Sequence, residues 1–438
     1  METALVVAYT FLFLFLIRKL SFFRLSGISE TFTSILFIIK IIAGMILGWI
    51  YTYYYTDHGT SDSLKFFNDS GILFDSLKIN FHDFIRMFTG IDGNAPELRS
   101  YYVKMDTWLN IDVLFNDNKT IIRLNTLFRF FSMGYYAVHV VFINFLSLIG
   151  LVSLLKIFLH YCPEKKNAVA IFSLLLPSVL FWGSGLLKDS LLIFAFGVLC
   201  YTCFKIVHSG WNWKRITSFL LFIMALMFIK LYVLVIIFPG ILIWVFTRNM
   251  SMKRMAFVFL IGYGLYFTAA FNFHRVNEKF DVADIIYWKQ TNFYTQASTN
   301  KARSVIEIPK LEPTNFSIIK NSPAAFFITL LRPALMDSHG NSLIFLSALE
   351  NLLILFMLLS GIWCFKRRPI DGFILFCIIY LFLLFALIGL ITPVLGALVR
   401  YKVPGLPVLM FLIIYFADFN KLPFLRALKK ERFNPTLT

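Results

Sequence analysis

The chain has 438 residues, 59% apolar and 18% aromatic, with 52 phenylalanines, only 15% charged side chains and a formal charge of +17. With a mean hydropathy of +0.75, these proportions exclude a water-soluble globular fold, which carries roughly a quarter charged residues. In lipid only helices and closed barrels satisfy every backbone polar group. The apolar segments here are continuous runs of helix-spanning length, not the alternating ten-residue pattern of barrel strands. The sequence therefore predicts an all-α, polytopic transmembrane helical protein.

Taken in chain order, spans are predicted near 4–17, 33–55, 135–157, 167–183, 188–206, 216–230, 232–247, 254–272, 342–364, 372–391 and 404–418. That is about 11 spans, within a range of 10–12. The first run has Glu2 ahead of it and Arg18 and Lys19 behind it. This order fits an anchor with its N-terminus outside, not a cleaved signal peptide. The short loops then assigned to the inside each carry cations: Arg18, Lys19 and Arg24; Lys156, Lys165 and Lys166; Lys205, Lys214 and Arg215; Arg248, Lys253 and Arg254; Lys366, Arg367 and Arg368. The C-terminal tail adds Lys421, Arg426, Lys429, Lys430 and Arg432. The positive-inside rule accounts for the charge, and no nucleic-acid partner is needed to explain it.

Two long segments, 56–134 and 273–341, fall outside. Both hold apolar stretches too short to span, Phe81–Phe88, Ile121–Phe131 and Ala324–Leu331, which read as juxtamembrane amphipathic helices. The expected organisation is an N-terminal transmembrane module over 1–272 that includes the outer loop 56–134. A second outer loop covers 273–341, and a C-terminal transmembrane module with a basic cytoplasmic tail covers 342–438. The five cysteines, Cys162, Cys200, Cys203, Cys364 and Cys377, avoid both outer loops, which argues against structural disulfides. Cys200 and Cys203 have a C-x-x-C spacing, but no second ligand pair accompanies it.

Cations on the outer side break the charge rule. They are Lys188, beside Asp189 in a turn between two spans; Lys230 in the next outer turn; Arg332 before the ninth span; and Arg400 and Lys402 around Tyr401 before the last. Singly, each reads as snorkelling. In four separate segments they suit an anionic ligand such as a phosphate, which Arg binds bidentately and Lys as a point charge. Asp62 follows the second span by a few residues and is a candidate general base; the competing reading is a helix cap. Asp57 and His58 could join Asp62 around a divalent cation, though the spacing is a weak metal signal. Glu350 and Lys40 lie inside spans; Glu350 is the stronger functional candidate, and Lys40 reads as snorkelling inward.

Four short patterns carry a resemblance: Gly59-x-x-Asp62-x-x-x-Phe66-Phe67, Pro177 to Trp182 with Lys188-Asp189-Ser190, Lys230 to Pro239-Gly240, and Arg400-Tyr401 with Pro404 and Pro407. Together they resemble the GT-C superfamily of polyprenyl-phosphate-dependent membrane glycosyltransferases, of the bacterial surface-polysaccharide type. Two departures are the lone Asp62, followed by Ser63 where an acidic pair is usual, and an extra N-terminal span. The resemblance implies inverting transfer of a sugar from a polyprenyl-phosphate-linked donor to a glycan or lipid acceptor. It also implies a bacterial inner-membrane location, Asp62 as base, and Arg400, Lys230 and Lys188 on the phosphate leaving group. A polysaccharide polymerase or O-antigen ligase is the alternative, leaning on Arg332 and His339. A non-enzymatic subunit of a surface export system is the third reading.

Overall fold

The structure is a computed structural model that describes residues 1–54, 61–109, 116–248, 250–300, 302–338, 340–418 and 421. It is 79% helix, with no strand among the described residues. In chain order the helices are α1 (Glu2–Lys19), α2 (Glu30–Trp49), α3 (Asp62–Ile79), α4 (Phe81–Thr89), α5 (Arg99–Tyr102), α6 (Asn118–Ser132) and α7 (Tyr136–Tyr161). They continue with α8 (Lys166–Leu174), α9 (Pro177–Trp182), α10 (Lys188–Ser209), α11 (Trp213–Ile229), α12 (Leu231–Phe246) and α13 (Met252–Asn272). The last are α14 (Val282–Thr299), α15 (Asn315–Leu331), α16 (Ser342–Trp363), α17 (Gly372–Ile391), α18 (Leu395–Tyr401) and α19 (Leu406–Phe416).

Among the described residues six helices are long and apolar enough to cross a bilayer: Glu30–Tyr53, Tyr136–Tyr161, Lys188–Ser209, Met252–Arg275, Ser342–Trp363 and Gly372–Ile391. The pair α18 and α19, bent by 63°, makes a seventh if counted as one span. The chain is thus an all-helical integral membrane protein, and the expected count of eleven spans is not confirmed among the described residues. The physical reasons are visible. Helices α11 and α12 have 17 and 16 residues, short of the roughly 30 Å hydrocarbon core at about 1.5 Å per residue. Helix α1 carries Glu2, Arg18 and Lys19 within its 18 residues. The run at 167–183 breaks before Pro177, because a proline disfavours helical backbone in the residue ahead of it. The three short apolar stretches all lie in helices: Phe81–Phe88 in α4, Ile121–Phe131 in α6 and Ala324–Leu331 in α15.

The chain divides into two compact units, Met1–Ile157 with Val179–Val235, and Phe158–Ser178 with Ile236–Thr438. In the first, α10 packs on α11 and α3 packs on α4 and α6. Helices α7 and α10 meet backbone to backbone: a Cβ at Gly197 would lie 2.1 Å from the Gly150 carbonyl oxygen, and one at Gly150 would lie 2.3 Å from that of Ile193. Such small-residue contacts replace the hydrophobic effect as the means of helix association in lipid. Gly197→Ala should therefore lower the melting temperature in detergent by several degrees. Gly264→Ala, where nothing lies within 4 Å, should not; equal behaviour of the two would refute this contact as a packing determinant.

In the second unit α15 packs on α17, and α14 lies against α17. Gln290 of α14 ties the two together, donating to Leu390 O at 2.6 Å and accepting from Leu311 N at 3.0 Å. Only 11% of the apolar window of α13 is buried, so its exposed Phe257, Leu260 and Leu265 leave an apolar face for lipid. All five cysteines are free and buried.

Candidate functional site

In the first unit the end of α2 and the starts of α3, α6, α7 and α10 come together with the end of α11. Ser61 caps α3, its hydroxyl accepting from Leu64 N at 3.4 Å. The cap reading for Asp62 is thereby corrected: Asp62 is the first helical residue, half-buried, one position past the cap. Neighbouring side chains fix this end of α3. Ser63 Oγ and Tyr136 Oη share a hydrogen bond of 3.0 Å, and the Arg129 guanidinium lies 4.3 Å from the Phe67 ring centroid while donating to Phe67 O at 2.6 Å. One turn on from Asp62, the Phe66 ring lies 5.6 Å from Lys188 Nζ, and the charge of Asp62 reaches that same ammonium.

Lys188 and Lys230 are 9% and 8% exposed. Both engage Asp117, which sequence reasoning did not single out. Lys188 Nζ donates to Asp117 Oδ1 at 2.6 Å and to Asn118 Oδ1 at 2.7 Å. Lys230 Nζ stands 3.6 Å from Asp117 Oδ2. Asp117 occupies the N-cap position of α6, yet its side chain makes no capping bond. A residue type suited to capping instead puts its oxygens on two lysines. Lys188 is also the first residue of α10, where the helix dipole disfavours a cation; Asp117 and the neighbouring Asp189 offset that. Asp189 is itself buried in the first turn of α10.

The turn ahead of Lys188 is clamped from α2 and α7. Lys40 Nζ donates to Gly183 O at 2.7 Å and to Ser184 Oγ at 3.0 Å. Ser147 Oγ donates to Gly183 O at 2.7 Å and Asn144 Nδ2 to Ser184 O at 2.8 Å. Close approach depends on Gly44, where a Cβ would lie 2.4 Å from Ser184 O. Lys40 is fully buried, so the snorkelling reading of this residue is wrong: its ammonium holds the turn that presents Lys188. The turns that follow α5 are anchored by Asp69 of α3, whose carboxylate accepts from Asp106 N at 2.8 Å and Thr107 N at 3.0 Å. Burial pushes the Asp69 carboxyl up from its ordinary range, against the pull of these donors.

A serine–histidine–asparagine chain also joins α6 to α7: Ser132 Oγ lies 2.7 Å from His139 Nε2, and His139 Nδ1 lies 2.8 Å from Asn125 Oδ1. All three side chains are fully buried. Buried in this way, the chain ties the two helices together, although its spacing resembles a nucleophile–base–orienter set.

The remaining candidates belong to the second unit. Glu350 Oε2 accepts from Ser178 N at 2.9 Å and Ser178 Oγ at 2.6 Å. Lys402 is buried in the break between α18 and α19, and its Nζ donates to Arg332 O at 2.9 Å and Asn351 Oδ1 at 2.8 Å. The Arg332 guanidinium is ion-paired with Asp337. Arg400 lies half-buried in the last turn of α18, and the Tyr401 ring meets that of Phe293 edge-on at 6.1 Å. Asp57, His58 and His339 lie outside the described residues. Among the described residues no group of three or more His, Cys, Asp and Glu side chains is placed to hold a metal ion. Comparison with known proteins finds no family model, no curated protein and no solved structure that matches the chain.

Proposed function

We propose that the chain is a membrane glycosyltransferase. It moves a sugar from a polyprenyl-phosphate-linked donor to a glycan or lipid acceptor at the non-cytoplasmic face of a bacterial inner membrane. The observation that carries this reading is the pair of nearly buried lysines sharing one carboxylate, with Asp62 within charge reach. The two ammonium groups meet at Asp117 in a poorly solvated place, where a phosphate would add a further anion to the pair. Each such pair at about 4 Å is worth roughly 4 kcal/mol at an effective dielectric of about 20.

In this reading the acceptor hydroxyl attacks the anomeric carbon and gives its proton to Asp62. The bond from that carbon to the phosphate oxygen breaks, and the polyprenyl phosphate leaves with the electron pair. Lys188 and Lys230 stabilise the charge that grows on the leaving oxygen, the larger share of catalysis in reactions of this kind. The basic loops support an orientation with the N-terminus outside and the C-terminus inside. A mass-spectrometric comparison of surface glycans from cells with and without the gene tests the substrate class. The expected result is loss of one sugar or of a whole polymer, and identical glycans would contradict it.

A further inference from the structure

We infer that Glu350, Ser178, Asn351 and Lys402 form a proton-binding site inside the second unit, in which Glu350 Oε1 takes up and releases the proton. The inference stands apart from the transfer reading, since none of these residues belongs to the lysine pair of the first unit. Glu350 is 7% exposed and lies on α16, one of the helices long and apolar enough to cross a bilayer. Ionisable groups at such positions are expensive and are kept where they have a task.

The two carboxylate oxygens of Glu350 differ. Oε2 takes both the amide and the hydroxyl of Ser178. Oε1 is buried with no hydrogen-bond partner among the described residues. A static buried ion pair would put the nearby ammonium on that oxygen. Lys402 instead donates to two neutral acceptors, the Arg332 carbonyl and the Asn351 amide oxygen, and acts on Glu350 through space. The Asn351 amide is fixed in turn by donating to Leu331 O at 2.9 Å.

Arg332 gives its carbonyl to the cluster, while its guanidinium pairs with Asp337. The Lys402 ammonium opposes any added cation at Oε1, a proton included. Burial favours the neutral carboxyl that a covalently bound proton makes, so the two effects set the proton affinity of the site against each other. The cluster also sits at two interruptions. Ser178 follows the break between α8 and α9, and Lys402 follows α18 in the bent pair. Ion sites in transporters form at such discontinuous helices.

Infrared difference spectroscopy of the full-length protein in lipid, between acid and alkaline pH, reads this site directly. The expected result is a carboxylic-acid carbonyl band that appears on acidification, moves in D2O, disappears in Glu350→Gln and shifts in Lys402→Met. Glutamine keeps an oxygen for Ser178, so the fold should persist. If Glu350→Gln fails to fold, Ser178→Ala carries the test, because removing a donor from Oε2 must move the band. A spectrum unchanged by Glu350→Gln, or a band unmoved by Ser178→Ala in that fallback, overturns the inference.

Discussion

Asp62→Asn should abolish sugar transfer while leaving the protein folded. The carboxylate occupies the first turn of α3, where the cap is already supplied by Ser61 and the end of the helix is held by Ser63, Tyr136 and Arg129. Asparagine keeps the size and loses the basicity, so the folded state changes little. Removing a general base lowers turnover by about 10²- to 10⁴-fold. The check is release of polyprenyl phosphate from a labelled donor by reconstituted protein, at matched melting temperature. Retained turnover would remove Asp62 as the base. If Arg332→Ala were inactive at the same time, the polymerase or ligase reading would take its place.

Lys188→Met should weaken donor binding by about 10- to 100-fold, the equivalent of the roughly 1.5–3 kcal/mol carried by a hydrogen bond to a charged group. The effect should appear in KM for the donor more than in the acceptor's KM. Asp117 adds a discriminating variant. Asp117→Asn strips two nearly buried ammonium groups of the carboxylate they share. A purely structural cluster would then only be destabilised, because a buried charge without its partner is costly. A phosphate-holding cluster would be destabilised too, but added polyprenyl phosphate would restore the melting temperature further in Asp117→Asn than in the unaltered protein. Equal and negligible stabilisation of both would count against a phosphate site here.

The long spans were readable because hydropathy over about twenty residues is a strong signal. Helices α2, α7, α10, α13, α16 and α17 all fall within a few residues of where the apolar runs put them. Broken elements were not readable as broken: averaging across Pro177 hides that interruption, and the last predicted span, 404–418, covers α19 but leaves α18 in the turn before it. Asp62, Lys188 and Lys230 drew attention as charges beside apolar runs, and the first unit brings them together. Asp117 did not, since it lies in a polar stretch where an aspartate before a helix looks like an ordinary cap. Only the tertiary contact with Lys188 separates it from one. Lys40 was misread for the opposite reason. Its position in α2 suits snorkelling, and burial follows from Gly44 admitting the 183–185 turn against the helix.

Together, Lys188 and Lys230 are proposed to hold a lipid-linked phosphate. Native mass spectrometry of the full chain released from lipid, titrated with polyprenyl phosphate, measures this without requiring turnover. The expected result is saturable binding by the unaltered protein, weaker binding by Lys188→Met and by Lys230→Met, and none above the level of ordinary anionic phospholipid in the double variant. Binding by the double variant equal to that of the unaltered protein would contradict it.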